Sequence, residues 1–136
     1  MAYSCATKLA EYTERLFSST LLDKLSLEAM IFIISAKKAF KNAANLFPEN
    51  FSAQIRLADW YYIQGMLDES LETYQVAENI DSKNPLVQAR LGKIYADKNQ
   101  NKKAHIALEK AIKLNPKDAE SHFQLGRLVS SEKKWK

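Results

Sequence analysis

The sequence predicts an all-α protein built of helical hairpins stacked in a row. Three observations support this fold class. Segment 84–118 contains two stretches with apolar residues at helical spacing, separated by a polar turn. Its pattern recurs when the chain is shifted by 34 residues in either direction. Only 3 glycines and 3 prolines occur among the 136 residues, so few positions break a helix.

Segment 84–118 predicts one helix over residues 85–98 and a second over 102–114. Asn84 can accept hydrogen bonds from the free backbone N–H groups of the first helix, and Pro85 fits its first position. The polar residues between the helices suit a turn. Pro116 ends the second helix, because the residue before a proline is disfavoured in the helical region. The segment is therefore one antiparallel helical hairpin.

The shifted copies keep small or apolar residues at equivalent positions. In the opening helix, Leu91-Gly92 and Tyr95 correspond to Leu57-Ala58 and Tyr61 upstream, and to Leu125-Gly126 and Val129 downstream. In the second helix, four positions recur as Ala104, Leu108, Ala111 and Leu114, as Ser70, Tyr74, Ala77 and Ile80, and as Ala36, Phe40, Ala43 and Leu46. This pattern resembles that of the tetratricopeptide-repeat family. The alternative fold is an ordinary antiparallel helical bundle, which the fixed period argues against.

The resemblance implies a right-handed α-solenoid of about seven helices. Residues 1–50 would form an atypical hairpin of which only the second helix follows the pattern, and 51–118 two complete repeats. Residues 119–136 would form either a capping helix or the start of a further repeat. The polar residues 131–136 suit a cap, whereas Trp135 suits the beginning of a following helix.

The N-terminal region predicts a helix over 7–22, a connector over 23–26 and a long helix over 27–46. The second of these helices has extra apolar residues, and we expect them to pack under the first: Met30, Phe32, Ile33 and Ile34. The alternative is that they bind a partner or a second copy of the chain.

The next predicted hairpin pairs residues 51–64 with 68–80 and turns at Gly65. Three aromatic residues lie together in its opening helix. Tyr61 is equivalent to Tyr95 and is expected in the core. Trp60 is expected to point toward the neighbouring helix or solvent, and Tyr62 toward the concave side.

Composition limits the other functions that the chain can have. Hydrophobic residues make up 46% and charged residues 26%, as in many globular proteins. A single cysteine rules out an internal disulfide framework, no apolar run is long enough to cross a membrane, and residues 1–12 lack a hydrophobic signal region, so we expect a cytoplasmic protein. Most of the net charge of +4 lies in 127–136, where four basic residues face one acidic residue (4 − 1 = +3). That basic face is short for nucleic-acid binding, which is therefore not expected.

The sequence contains no catalytic constellation. His105 and His122 lie on different predicted helices without a metal-ligand spacing, and Cys5 lies far from both. No glycine-rich phosphate loop occurs. We therefore expect a protein without enzymatic activity, metal or cofactor.

In the tetratricopeptide-repeat family the opening helices line a concave groove that binds an extended peptide or a helix. The resemblance assigns that role to ten groove residues: Arg56, Asp59, Tyr62, Ile63, Arg90, Lys93, Asp97, Phe123, Gln124 and Arg127. The same helices also direct seven further positions toward the groove: Ser52, Ile55, Leu86, Ala89, Ala96, Glu120 and Ser130.

The groove residues include two basic rows, Arg56 with Arg90 and Lys93 with Arg127. These rows, beside aromatic side chains, would suit a partner segment with acidic and apolar residues. The alternative is that the charges only solvate the groove and pair with its own aspartates.

Related domains that bind acidic chaperone tails use a clamp of Lys, Asn, Asn, Lys and Arg. Here Arg90 matches the clamp, but Asp59, Lys93 and Arg127 stand where asparagines are expected. A chaperone-tail partner is therefore not expected. The predicted function is a protein-interaction adaptor; the alternative is a self-assembly module of a larger complex, including a homo-oligomer.

Overall fold

The computed structural model describes the backbone of residues 2–133 and the side chains of residues 24–133. This part of the chain is entirely α-helical. Its six helices are α1 (Ala2–Leu46), α2 (Phe51–Ile63), α3 (Leu67–Ile80), α4 (Pro85–Asp97), α5 (Asn101–Leu114) and α6 (Ala119–Lys133). The all-α prediction is confirmed, with six helices in place of about seven.

The difference in helix number lies in α1. The predicted connector over 23–26 is wrong, because one helix continues through these residues from Ala2 to Leu46. The segment contains neither glycine nor proline, so its polar residues are compatible with a continuous helix.

Local signals set the ends of the later helices. The Asn50 side chain accepts a hydrogen bond from the Ala53 N–H (3.1 Å), and the Asn84 side chain accepts one from the Leu86 N–H (3.1 Å). The turn after α2 contains Gly65 with φ +77°, and the turn after α4 contains Asn99 with φ +59°. Both residue types tolerate this left-handed conformation, which reverses the chain between paired helices.

The helices from α2 onward pack as hairpins. Helix α2 packs on α3 and α4 on α5, while α3 contacts α4, and α6 contacts both α4 and α5. Tyr74, Leu108 and Ala111 are completely buried between them. A Cβ atom built on Gly92 would lie only 2.6 Å from the Leu108 Cγ, so the glycine is what allows α4 and α5 to approach.

A polar side chain at the fourth position of each opening helix contacts the preceding segment. Gln54 donates to the Pro48 carbonyl (3.1 Å), and Gln88 donates to the Glu78 carboxylate (2.7 Å). His122 has its Nε2 atom 3.0 Å from the Pro116 carbonyl oxygen. These contacts set the joints between successive hairpins.

The chain divides into two compact units, residues 1–39 and 40–136. In the first unit, α1 exposes the apolar side chains that were expected to be buried. Phe32 is 75% exposed, and Met30, Ile33 and Ile34 are also exposed. The expectation that they pack in a core is therefore wrong for the residues whose side chains are described. Cys5, Trp135 and the lysines at 134 and 136 lie outside those residues.

Candidate functional site

Side-chain contacts join α2 to α4 at the predicted groove. The Tyr62 hydroxyl on α2 donates to the Asp97 carboxylate on α4 (2.7 Å). The Arg90 Nε atom on α4 lies 3.8 Å from the Asp59 Oδ1 atom on α2. Asp59 also accepts a hydrogen bond from the Tyr74 hydroxyl of α3, which fixes the carboxylate from the other side.

A second set of contacts joins α4 to α6. The Lys93 Nζ atom lies 3.8 Å from the Glu120 Oε1 atom and 5.3 Å from the centre of the Tyr62 ring. Lys93 therefore touches both neighbouring opening helices. On α6, Gln124 donates to Glu120 (2.7 Å) and accepts from Arg127 (3.2 Å). The three opening helices thus share one connected polar surface.

Two tyrosine hydroxyls hold the carboxylates of this surface. Burial, and then the hydrogen bond from the ring to Asp97, raises the pKa of Tyr62 to about 12. Burial also raises the pKa of Tyr74, and the hydrogen bond to Asp59 raises it further. Both phenols therefore remain protonated donors at neutral pH. Asp59 and Asp97 are held as acceptors in fixed positions.

Two clefts open beside these contacts. The larger, of about 1110 Å³, is lined by residues of α4 and α6 that include Asp97, Phe123, Gln124 and Arg127. The smaller, of about 240 Å³, is lined by Leu86, Ala89, Arg90, Lys93 and Glu120 among others. Each cleft thus combines charged groups with apolar surface, as sites for peptide side chains do.

The structure places the other predicted residues in different surroundings. Ile63 and Phe123 are exposed, and the Arg127 guanidinium lies 6.0 Å from the Phe123 ring centre. Arg56 is exposed and makes no ion pair among residues 24–133. Gln124 is only 6% exposed, so its main contacts are with its own helix. Ile55, one of the further groove positions, lies in the core instead.

The aromatic residues of α2 agree with the expectations for two of the three. Tyr61 is buried, and Trp60 packs against it edge-on, with ring centres 5.5 Å apart. Tyr62 is half-buried and joins the polar surface through its hydroxyl.

Sequence reasoning missed the role of Tyr74. It was predicted only as a core residue equivalent to Leu108, yet its hydroxyl holds a groove carboxylate. One signal was present: this repeat alone combines a tyrosine in its second helix with Asp59 in its opening helix, where the other opening helices have Lys93 and Arg127. A buried phenol needs such a polar partner.

The described side chains offer no arrangement for holding a metal ion. Among them, no three histidine, cysteine, aspartate or glutamate side chains come together. His105 lies beside Glu109 on its own helix (3.5 Å), and His122 contacts a backbone carbonyl. No described helix is long and apolar enough to cross a membrane. The groove chemistry is that of non-covalent contacts: ion pairs, hydrogen bonds and aromatic surface.

Repeated hairpins in a fixed register, with the opening helices on a shared face, define a helical-repeat protein. A family model described as TPR repeat matches residues 58–99 and 92–129, which together span more than half of the chain. The chain belongs to the tetratricopeptide-repeat family. A comparison with curated proteins finds no match.

Solved structures share this fold. A crystal structure of MamA aligns with a TM-score of 0.70 and 22% identity over 77% of this chain; the chain spans 61% of the length of that protein. The first TPR of Spaghetti (RPAP3), bound to the HSP90 peptide SRMEEVD, aligns with a TM-score of 0.69 and 14% identity, covering 76% of this chain and 82% of that one.

The Yersinia enterocolitica type III secretion chaperone SycD, in complex with a peptide of the translocator YopD, aligns with a TM-score of 0.67. Its identity to this chain is 16%, over 77% of this chain and 86% of that one. At such identities these likenesses describe the fold.

Proposed function

We propose that this chain is a non-enzymatic protein-interaction adaptor that binds a peptide or helix of a partner along the groove. The observation that carries the proposal is the connected surface of α2, α4 and α6. Asp59, Arg90 and Lys93 lie on it with their ion pairs at the surface, next to clefts that are open to solvent. Polar groups fixed beside apolar clefts suit recognition of another chain.

Two structural neighbours support the peptide-binding part of the proposal. The Spaghetti domain is bound to an HSP90 peptide, and SycD is bound to a YopD peptide. A rigid stack of hairpins presents a long surface, so the same fold can bind different segments by changing its exposed side chains.

The charges of the groove favour a partner with carboxylates among apolar residues. Arg90 and Lys93 pair only with partly exposed carboxylates, and such exposed pairs contribute about 0–1 kcal/mol each. A partner carboxylate can therefore replace them at little cost. Arg56 adds a cation, and the exposed Ile63 and Phe123 add apolar area.

The departures from the chaperone-tail clamp argue against that particular partner class. Asp59 stands in place of a clamp asparagine and would repel a terminal carboxylate. The proposed ligand is an internal acidic and apolar segment in place of such a tail.

The proposal predicts that Arg56→Glu combined with Arg90→Glu abolishes capture of the partner from a lysate of the source cells. Both substitutions place negative charge where the ligand carboxylates would lie. Pull-down with the native and the variant domain measures the change. Because both arginines are at least partly exposed and the Arg90 ion pair is weak, helicity by circular dichroism should be unchanged.

The matched control is Lys102→Glu combined with Lys113→Glu on α5. It changes the net charge equally, at exposed sites outside the groove. The control should capture the partner as the native domain does. Equal capture by the groove variant would contradict the proposed site, and loss of helicity in that variant would show that the arginines are structural.

A second candidate function is self-assembly. The observation that favours it is the exposed apolar face of α1, where Phe32 and Ile34 are among the exposed residues. Exposed apolar patches of this kind mark association sites in many proteins. A rise in mass with concentration in light scattering would support it, and a strict monomer would contradict it.

A further inference from the structure

Helix α6 is an opening helix without a closing partner. Its Leu125, Gly126 and Val129 are equivalent to Leu91, Gly92 and Tyr95 of α4. In α4 the glycine is buried against Leu108 of the closing helix α5. In α6 the glycine is exposed, and a Cβ atom built on it would have no neighbour within 4 Å.

The last turns of α1 have the opposite defect. Phe40, Ala43 and Leu46 follow the closing-helix pattern, which Ala36 continues upstream in the sequence. The residues equivalent to Phe40 and Ala43 are completely buried in α3 and α5, as Tyr74 and Leu108 show. In α1, by contrast, Phe40 and Ala43 are only partly buried.

Leu46 shows the same difference at the following position. It is 72% exposed, against 38% for both Ile80 and Leu114. These three α1 residues therefore lack the opening helix that covers their equivalents in α3 and α5.

The two incomplete helices fit each other. In the α4–α5 hairpin the glycine makes room for a large apolar side chain, and Gly126 would make the same room for Phe40. In the α2–α3 hairpin the next position pairs Asp59 with Tyr74. The equivalent pair would be Arg127 and Phe40, a guanidinium beside an aromatic ring, which is a favourable combination.

We propose that α6 of one chain binds the 36–46 segment of α1 of a second copy, completing a hairpin between two molecules. The interface repeats the packing that already joins α4 to α5 within the chain. It uses different surfaces on the two molecules, so association runs head to tail and gives open filaments or closed rings. This inference gives the proposed self-assembly a defined surface.

The test is the mass of the full chain over a concentration series, measured by sedimentation velocity. The native chain should form species larger than dimers. Gly126→Leu should give a monomer, because the side chain fills the space that Phe40 needs. The variant should fold, because that space is open in the single chain and leucine favours a helix over glycine.

The matched control is Gly126→Ala. Alanine occupies the same position of α2, where Ala58 packs completely buried in its hairpin. Gly126→Ala should therefore still assemble. The contrast between alanine and leucine at one residue separates blocking of the interface from loss of helical flexibility.

Mixing two variants tests the direction of association. Ala43→Arg blocks the α1 surface and leaves α6 intact, while Gly126→Leu does the reverse. Each alone should be monomeric, and an equimolar mixture should give dimers and nothing larger. Circular dichroism of each variant checks that both are folded.

Three outcomes would overturn the inference. A monomeric native chain at every concentration would remove both this interface and the proposed self-assembly. Assembly of Gly126→Leu like the native chain would remove this interface alone, leaving self-assembly through another surface such as the apolar face of α1. A mixture that stays monomeric, with both variants folded, would show that the two surfaces do not bind each other.

Discussion

Gly92 is the residue at which the spacing of two helices depends on a single hydrogen atom. Gly92→Ala would place a Cβ atom 2.6 Å from the Cγ atom of Leu108, which is completely buried and has little room to move. Overpacking of this kind costs about 1–3 kcal/mol, more than the roughly 1 kcal/mol that alanine contributes to helix propensity. We expect a lower free energy of unfolding in urea titrations.

Gly126→Ala is the control for this prediction. The same substitution at the equivalent position of α6 meets open space, so only the helix propensity changes. We expect its free energy of unfolding to rise by up to about 1 kcal/mol, measured on the monomer at low concentration. Equal effects at the two glycines would show that α5 does not pack on Gly92 as described.

Tyr62 gives a pH-dependent prediction. Its folded-state pKa of about 12 lies above the ordinary tyrosine value of about 10, so the folded chain retains this proton at pH values where the unfolded chain loses it. The resulting stabilisation is complete below the ordinary pKa and is lost as the pH rises toward the folded pKa. Tyr62→Phe should reduce the fall in stability across this window, as measured by urea unfolding at several alkaline pH values.

Asp97→Asn separates the causes of that raised pKa. Burial is the larger cause and remains in this variant, while the hydrogen bond to a carboxylate and its negative charge disappear. The ultraviolet absorbance step of the Tyr62 tyrosinate, identified by its loss in Tyr62→Phe, should move to lower pH. An unmoved step would mean that Asp97 does not accept from Tyr62 in solution.

The residue scale also shows where sequence reasoning stops. The period predicts that Tyr74 is buried, because burial follows from the position along the helix. It does not predict that the Tyr74 hydroxyl reaches Asp59, because that contact depends on the angle between two helices and on two side-chain rotamers. The same holds for Tyr62 and Asp97, which lie in different repeats.

At the scale of elements, the helices after residue 50 were predicted to within about one residue. Their ends depend on local chemistry: the caps at Asn50 and Asn84, and the turns at Gly65 and Asn99. Segment 23–26 carries polar residues but no residue that prevents a helix. Polarity alone was too weak a signal, because a solvent-exposed helix accepts the same residues.

The continuity of α1 can be measured with spin labels. Glu14→Cys and Lys38→Cys, in a Cys5→Ser background, lie 24 residues apart within the first unit. One helix would separate their Cα atoms by about 36 Å, at 1.5 Å per residue. A hairpin with a connector at 23–26 would bring them to within about 10 Å of each other, the distance between packed helices. Pulsed electron spin resonance should give the longer distance.

The control pair is Lys24→Cys with Lys38→Cys in the same background. Both sites lie on the side of the former connector that either arrangement makes helical, so about 21 Å is expected in each case. A short distance for the first pair with the expected distance for the control would restore the hairpin.

At the scale of the whole molecule, the family and the stacking of hairpins followed from a period that the sequence displays directly. The exposure of the apolar side chains on α1 did not. Hydrophobicity indicates that Phe32 and Ile34 favour burial, but not whether the surface that covers them belongs to this chain. Binding surfaces and cores draw on the same residue types, so composition cannot separate them.

The close contact of Gly92 with Leu108 belongs to a unit that repeats every 34 residues. Chain length is therefore a free variable in this architecture. Inserting or deleting one whole repeat in the middle would change the reach of the molecule, while each remaining hairpin kept the neighbours it needs. Such a length variant would also carry the same α1 and α6 surfaces at its two extremities. Molecules with different numbers of repeats could then join one another as readily as identical copies.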